Sequence, residues 1–203
     1  MVIASGEPLV RRIQRQLFDR GFENIVLMCA TQRVSDYLLD ARVTHCIPPV
    51  NHDRIRNNST AWAYREHFAH DGNTILLFAD TYYTDAFMDS LASNADREFL
   101  VYGRRARSKT HHSNAFETFA IVLSQSGLST YLGHLETAIQ MHTALISKHP
   151  DVLTMMMYRS MRESLWPDMN AWWLEWSDET EDFDTSEDWW RMHKHFPAVF
   201  PHP

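Results

Sequence analysis

Apolar residues recur along this chain at two spacings, and the spacings take turns. Over residues 8–20, Leu9, Val10, Ile13, Leu17 and Phe18 form a stripe at helical spacing. Pro8 suits the first helical position and Gly21 suits the stop. The next run, ENIVLMCA (23–30), is continuously apolar, the pattern of a strand buried on both faces. RVSDYLLDA predicts a short helix and VTHCI a short strand, while PPVNHDRIRNNS carries too many breakers to be anything but a loop. Ser59 suits the cap of a helix over 61–68. Gly72 and Asn73 then turn the chain into the strand TILLFAD, and 85–92 predicts a helix. EFLVY and FETFAIVLS predict strands separated by the polar stretch GRRARSKTHHSN. Helices are predicted over 128–148 and 151–165, with Pro150 between them, before the aromatic and acidic stretch AWWLEWSDETEDFDTSEDWW. Strand and helix alternate early and the sheet becomes mixed later. That order predicts an α/β sandwich around a mostly parallel mixed sheet, with 24–30 and 74–79 as neighbouring parallel strands.

Composition narrows the class. With 203 residues, 44% of them hydrophobic, one domain over 1–203 can bury a core of its own. A formal charge of −7 argues against a protein that coats nucleic acid by bulk electrostatics. Cys29 and Cys46 both sit in apolar runs, which predicts reduced thiols and a cytoplasmic setting. No stretch approaches the roughly 20 apolar residues of a membrane span, and no membrane association or leader is expected. Met155, Met156 and Met157 are expected to fill core or interface space. Trp172, Trp173, Trp176, Trp189 and Trp190 are expected to do the same, with stacking on a base or sugar ring as the alternative.

Candidate chemistry begins with Asp80, which follows the run Ile75 to Ala79. Ligands of open α/β sheets bind beyond the carboxyl ends of the strands, where an acid can hold a divalent cation against phosphate oxygens. The alternative is a helix cap, with Thr81 or Thr84 sharing the work. Asp184 and Glu187 likewise have the spacing of a cap and its reciprocal partner. Arg104, Arg105, Arg107 and Lys109, with His111 and His112, form the dense cationic stretch of an acidic chain. Guanidinium forks match phosphate oxygens, so these residues are candidates to bind a donor diphosphate or a nucleic-acid acceptor phosphate, although a solvated loop would look the same. The histidine pairs lack the companion cysteines or helical spacing of a zinc site.

Several segments, in order, resemble the nucleotidyltransferase-like branch of the GT-A superfamily, the fold of sugar-phosphate nucleotidyltransferases and nucleotide-sugar glycosyltransferases. GEPLVRRIQRQLFDRG resembles the helix after the nucleotide-binding loop, and NIVLMCA the next strand. ILLFADTYYTDAFMDSL resembles the strand, metal-binding acid and following helix. FLVYGRRARSKTHHSNAFETFAIVLS resembles the acceptor-side strands. DETEDFDTSEDWWRM resembles the late D-x-D and helix that complete the metal site. The resemblance implies a GT-A-like (Rossmann-like) fold, with a nucleotide and metal half over 1–95 and an acceptor half over 96–203. It implies Asp80 as first ligand of Mg²⁺ or Mn²⁺ and Asp182 or Asp184 as the second. It places Glu117 near the acceptor, where it would orient a hydroxyl or act as a base.

Relatives also carry a Gly-rich phosphate-binding loop ahead of the first helix. This sequence starts at MVIASGEPLV, and its six glycines form no such cluster. The resulting expectation is sugar transfer from a nucleotide sugar, because a nucleotidyltransferase depends more on that loop. The basic stretch 104–112 would meet a nucleic-acid acceptor, such as the modified DNA bases on which phage relatives act. Sugar-phosphate nucleotidyl transfer is the alternative within enzymes, and a non-catalytic partner subunit is the alternative outside them. With the first strand of relatives missing, an open sheet edge predicts a homo-oligomer.

Overall fold

The computed structural model describes residues 3–28, 40, 42–46, 65–69, 71–104, 117–145, 172–183 and 186–201. The helix expected over 151–165, the loop over 48–59, Asp184 and all but residue 40 of the helix expected over 33–41 lie outside the described residues. So do Cys29, the three consecutive methionines and the basic stretch from Arg105 onward.

The chain opens with a hairpin of β1 (Ile3–Ala4) and β2 (Glu7–Pro8). Its turn needs two positive φ angles, which Ser5 (52°) and Gly6 (77°) supply. Helix α1 (Leu9–Phe18) follows at once, with Pro8 as its N-cap, and Gly21 at φ 81° reverses the chain into β3 (Val26–Met28). β3 pairs in parallel with β4 (Thr44–Cys46). The expected pairing of 24–30 with 74–79 is absent among the described strands. Instead β5 (Thr74–Leu77) pairs antiparallel with β8 (Glu117–Leu123). β8 also pairs antiparallel with β7 (Phe99–Arg104), which pairs in parallel with β9 (Trp173–Glu175). The four-stranded sheet thus runs β5-β8-β7-β9 and is mixed, with two antiparallel pairings and one parallel.

Period-two alternation splits the sheet's side chains between two layers. Leu100 and Tyr102 of β7 and Val122 of β8 face α1 and α2 (Asp85–Ser93), meeting Leu17, Phe87 and Leu91. Phe99, Val101, Ile121 and Leu123 face the other way, against Leu128 and Tyr131 of α3 (Gln125–Leu145) and against Trp172. Helices on both faces of a mixed sheet make the expected α/β sandwich. Trp172 and Trp173 are buried as predicted, whereas Trp190 is 50% exposed. Among the described residues no helix is long and apolar enough to cross a membrane.

Two polar anchors dock α1. Gln16, fully buried, donates through Nε2 to the Tyr83 carbonyl (3.1 Å) and to Asp85 Oδ1 (2.9 Å). Arg20 donates through Nε to Asp89 Oδ1 (2.8 Å). Both residues seat α1 on the first turns of α2.

The last described elements are β10 (Glu181–Asp182) and α4 (Ser186–His195). β10 pairs antiparallel with β6 (Thr81–Tyr82), Asp182 opposite Thr81 and Glu181 opposite Tyr82. A late segment is thereby sewn to the end of β5.

Candidate functional site

Asp80 lies just past the carboxyl end of β5, in a turn closed by the Thr81 N–H on the Phe78 carbonyl (3.4 Å). It is exposed, and it does not cap the next helix. Thr84 does that, its hydroxyl accepting the Phe87 N–H at 3.0 Å. The turn is anchored from beneath by Tyr83. Its hydroxyl accepts the Phe78 N–H (2.9 Å) and donates to the Phe119 carbonyl of β8 (2.8 Å). Burial pushes the Tyr83 phenol far up, and the charges of Asp80 and Asp182 push it further. Both carboxylates therefore act on one buried hydroxyl. The backbone agrees: the Phe183 N–H donates to the Asp80 carbonyl at 3.1 Å, continuing the β6–β10 ladder. Asp80 and Asp182 come from distant parts of the chain to one corner of the fold.

A denser cluster sits behind Asp182. Glu117, Glu181 and Asp182 offer carboxylate oxygens that all lie within 4.8 Å of one another. Glu117 is the first residue of β8, and its strand register places it opposite Arg104, the last residue of β7. The approach is close because Gly103 intervenes: a Cβ there would collide with the Glu117 carbonyl and the Trp173 ring. The ladder slips at the Tyr102–Gly103 step, re-aiming Arg104.

Arg104 was expected to open the basic loop. The structure makes it instead the buried end of a strand, 4% exposed. Its Nη1 lies 3.0 Å from Glu181 Oε2 and 3.6 Å from Glu117 Oε2. Its Nη2 donates to the carbonyls of Thr180 (2.8 Å) and Asp178 (3.1 Å). The guanidinium carbon lies 5.1 Å from the centre of the Phe119 ring. Arg104 faces carboxylates and carbonyls of its own chain.

Of the residues expected at a metal site, Asp80 and Asp182 share a corner, and Glu117, expected near the acceptor, joins Asp182. Arg105, Arg107 and Lys109 follow Arg104 in the chain but lie outside the described residues, as does Asp184. Glu181 was missed. Its signal was present in T-E-D-F-D, where one of two adjacent acids in a strand must turn toward the interior. Its cation partner closed a buried apolar run, FLVYGR.

Beside the β6–β10 pair lies a cleft of about 160 Å³ lined by Tyr82, Thr84, Glu179, Met192, Phe196, Val199 and Phe200. Burial raises the pKa of Tyr82, while nearby Arg12 opposes the shift. The cleft is mainly apolar, with Glu179, Thr84 and the phenol-bearing Tyr82 as its residues with polar side-chain groups.

No family model matches the chain, and no curated protein matches it. Solved structures do. The chain is similar in fold to HddC from Yersinia pseudotuberculosis, at a TM-score of 0.50 and 14% identity, over 97% of this chain and 88% of that one. The same protein complexed with GMP-PN matches at a TM-score of 0.50 and 13% identity, with the same coverage. At such identity the likeness concerns the fold.

An oxygen-only donor set suits a hard divalent cation such as Mg²⁺ or Mn²⁺. Glu117, Glu181 and Asp182 fit that requirement, while Asp80, exposed past the end of β5, is not one of the three clustered carboxylates.

Proposed function

We propose that the chain is a divalent-cation-dependent transferase of the GT-A type, acting on a nucleotide-activated sugar. The observation that supports it is the meeting of Glu117, Glu181 and Asp182 beside Asp80 at the carboxyl end of β5. Asp182 and Asp80, with Glu117 within reach, would hold Mg²⁺ or Mn²⁺. The cation would supply charge stabilisation at the phosphate oxygens of the leaving nucleotide. Tyr83 holds the Asp80 turn in place, and the β6–β10 pair keeps Asp182 beside it.

Sugar transfer is placed first because Arg104 is committed to Glu181 and Glu117 and is not offered to a triphosphate. A nucleoside diphosphate leaving group asks less of protein cations, since the metal carries much of the charge. Arg105, Arg107 and Lys109 are assigned to acceptor phosphates, a nucleic acid being the acceptor that such a stretch fits. One observation favours nucleotidyl transfer as a second reading: a protein of similar fold has been crystallised with GMP-PN.

Calorimetry with a panel of nucleotide sugars tests this. At least one is expected to bind in Mn²⁺ and to lose its affinity in chelator. Asp80→Ala is expected to weaken that binding about tenfold or more, roughly 1.4 kcal/mol, with an unchanged unfolding midpoint because the residue is exposed. Pyrophosphate release from a nucleoside triphosphate and a sugar phosphate, with no nucleotide-sugar binding, would promote the second reading. Wild-type protein that binds no nucleotide in Mn²⁺ would leave a non-catalytic partner subunit.

A further inference from the structure

We propose that the cleft beside the β6–β10 pair binds a small organic amine, its ammonium group between Glu179 and the Tyr82 hydroxyl and its apolar body against α4 and the segment after it. The site needs neither metal nor nucleotide, and it goes beyond the function proposed above.

Tyr82, the last residue of β6, lines the cleft and is 8% exposed. Its ring is held edge-on against Phe200, the centres 5.1 Å apart. Its hydroxyl forms no hydrogen bond among the described residues, whereas the neighbouring Tyr83 hydroxyl donates to the backbone of β8. Buried tyrosines normally find such a partner, so an unbonded one facing a cleft points to a ligand. Glu179 is exposed at the rim of the cleft and likewise has no hydrogen bond or ion pair among the described residues. Thr84 is already occupied: its hydroxyl accepts the Phe87 N–H and donates to Asp178. A carboxylate and a phenol are left to meet a ligand.

Charge decides the ligand's sign. The charges acting on Tyr82 are one cation, Arg12, and three carboxylates, Asp85, Glu179 and Asp178. Arg12 already lies 3.9 Å from Asp85, and Asp178 is bound to the Thr84 hydroxyl and to the Thr180 N–H (2.7 Å). Glu179 alone is unmatched, and an ammonium answers it with a charge-assisted hydrogen bond. The phenol oxygen can accept a second N–H. Shape decides the rest. A volume of about 160 Å³ holds roughly one six-membered ring. Met192, Phe196, Val199 and Phe200 give that ring an apolar wall, which would leave the hydroxyls of a sugar unbonded.

The test uses benzylamine and benzyl alcohol, which share a ring and differ in charge, with the full chain in chelator. Binding is read by NMR from the methyl signal of Met192, which is 1% exposed in the cleft wall and is assigned with Met192→Leu. Benzylamine is expected to shift that signal saturably in the millimolar range, the scale of so small a ligand. Benzyl alcohol is expected to bind about fivefold more weakly, the reach of one exposed ion pair. Glu179→Gln alters an exposed residue, so it is expected to keep the wild-type unfolding midpoint and to abolish that preference. Tyr82→Phe keeps the ring and is expected to weaken benzylamine about threefold, as for one lost hydrogen bond. Equal binding of the two probes by wild type overturns the proposal and leaves an apolar cleft only. A preference that survives Glu179→Gln, undiminished affinity in Tyr82→Phe, or no saturable shift at Met192 overturns it as well. If benzylamine binds as expected while no nucleotide binds in Mn²⁺, the amine site stands and the transferase reading falls.

Discussion

Tyr83 shows how much one side chain settles here. Its hydroxyl is fully buried between the end of β5 and the middle of β8, bonded to the backbone of both. It stays a neutral phenol, since burial and two neighbouring carboxylates disfavour the phenolate. Tyr83→Phe keeps the ring and strands a buried N–H and a buried carbonyl. The expected cost is about 1–3 kcal/mol, read as a lower denaturant midpoint at unchanged slope. Because the same hydroxyl holds the turn that carries Asp80, Mn²⁺ affinity is expected to fall with it. In the sequence, the tyrosine pair beside Asp80 was visible, but not which of the two would turn inward. Tyr82 instead lines the cleft against Phe200.

Among the elements, β7 departs most usefully from its sequence pattern. EFLVY predicted a strand ending at residue 102, because Gly103 and Arg104 look like the start of a polar loop. The strand continues through both, since Gly103 lets the β8 backbone and the Trp173 ring approach where any side chain would collide. Gly103→Ala is therefore expected to cost about 1–3 kcal/mol as an overpacked site, seen in the denaturant midpoint. It should also shift Arg104 away from Glu117, their strands being forced apart at that step. Helix starts were easier to read: 85–92 was expected and Asp85–Ser93 is found. A Thr hydroxyl bonding three residues ahead is local chemistry, and Thr84 caps α2 in that way.

Across the whole molecule, the two ends of the chain are packed together. The Ser5 N–H donates to the Val199 carbonyl at 2.5 Å, and Ala4, Leu9, Tyr82, Phe183, Met192 and Phe200 share one apolar cluster. Phe200 is fully buried, with its ring centre 5.1 Å from that of Tyr82 and 5.3 Å from that of Phe183. Phe200→Ala is expected to cost about 3–5 kcal/mol. Faster amide exchange at Ser5 and along β10 than along β7 would show that the damage runs through this cluster toward Asp182.

The alternation of apolar and polar positions by itself determined α1, α2 and the buried strands β5, β7 and β8. Periodicity is a local property, and burial on one face or two is written directly into it. It also marked Asp80 as an acid standing at a strand end, whereas Glu117 and Asp182 were singled out by the family resemblance and not by the pattern. Tertiary structure alone decided the rest. Strand partners depend on which edges meet, so β5 joined β8 and β3 joined β4. Arg104 changed from a loop cation to an internal counter-ion because β7 outran its apolar run and ended opposite Glu117. Glu181 joined the site because pairing with β6 set it opposite Tyr82 and turned its carboxylate to Arg104. A charge placed by residues 77 positions away in the chain leaves no local trace, and only the folded backbone brings the two together.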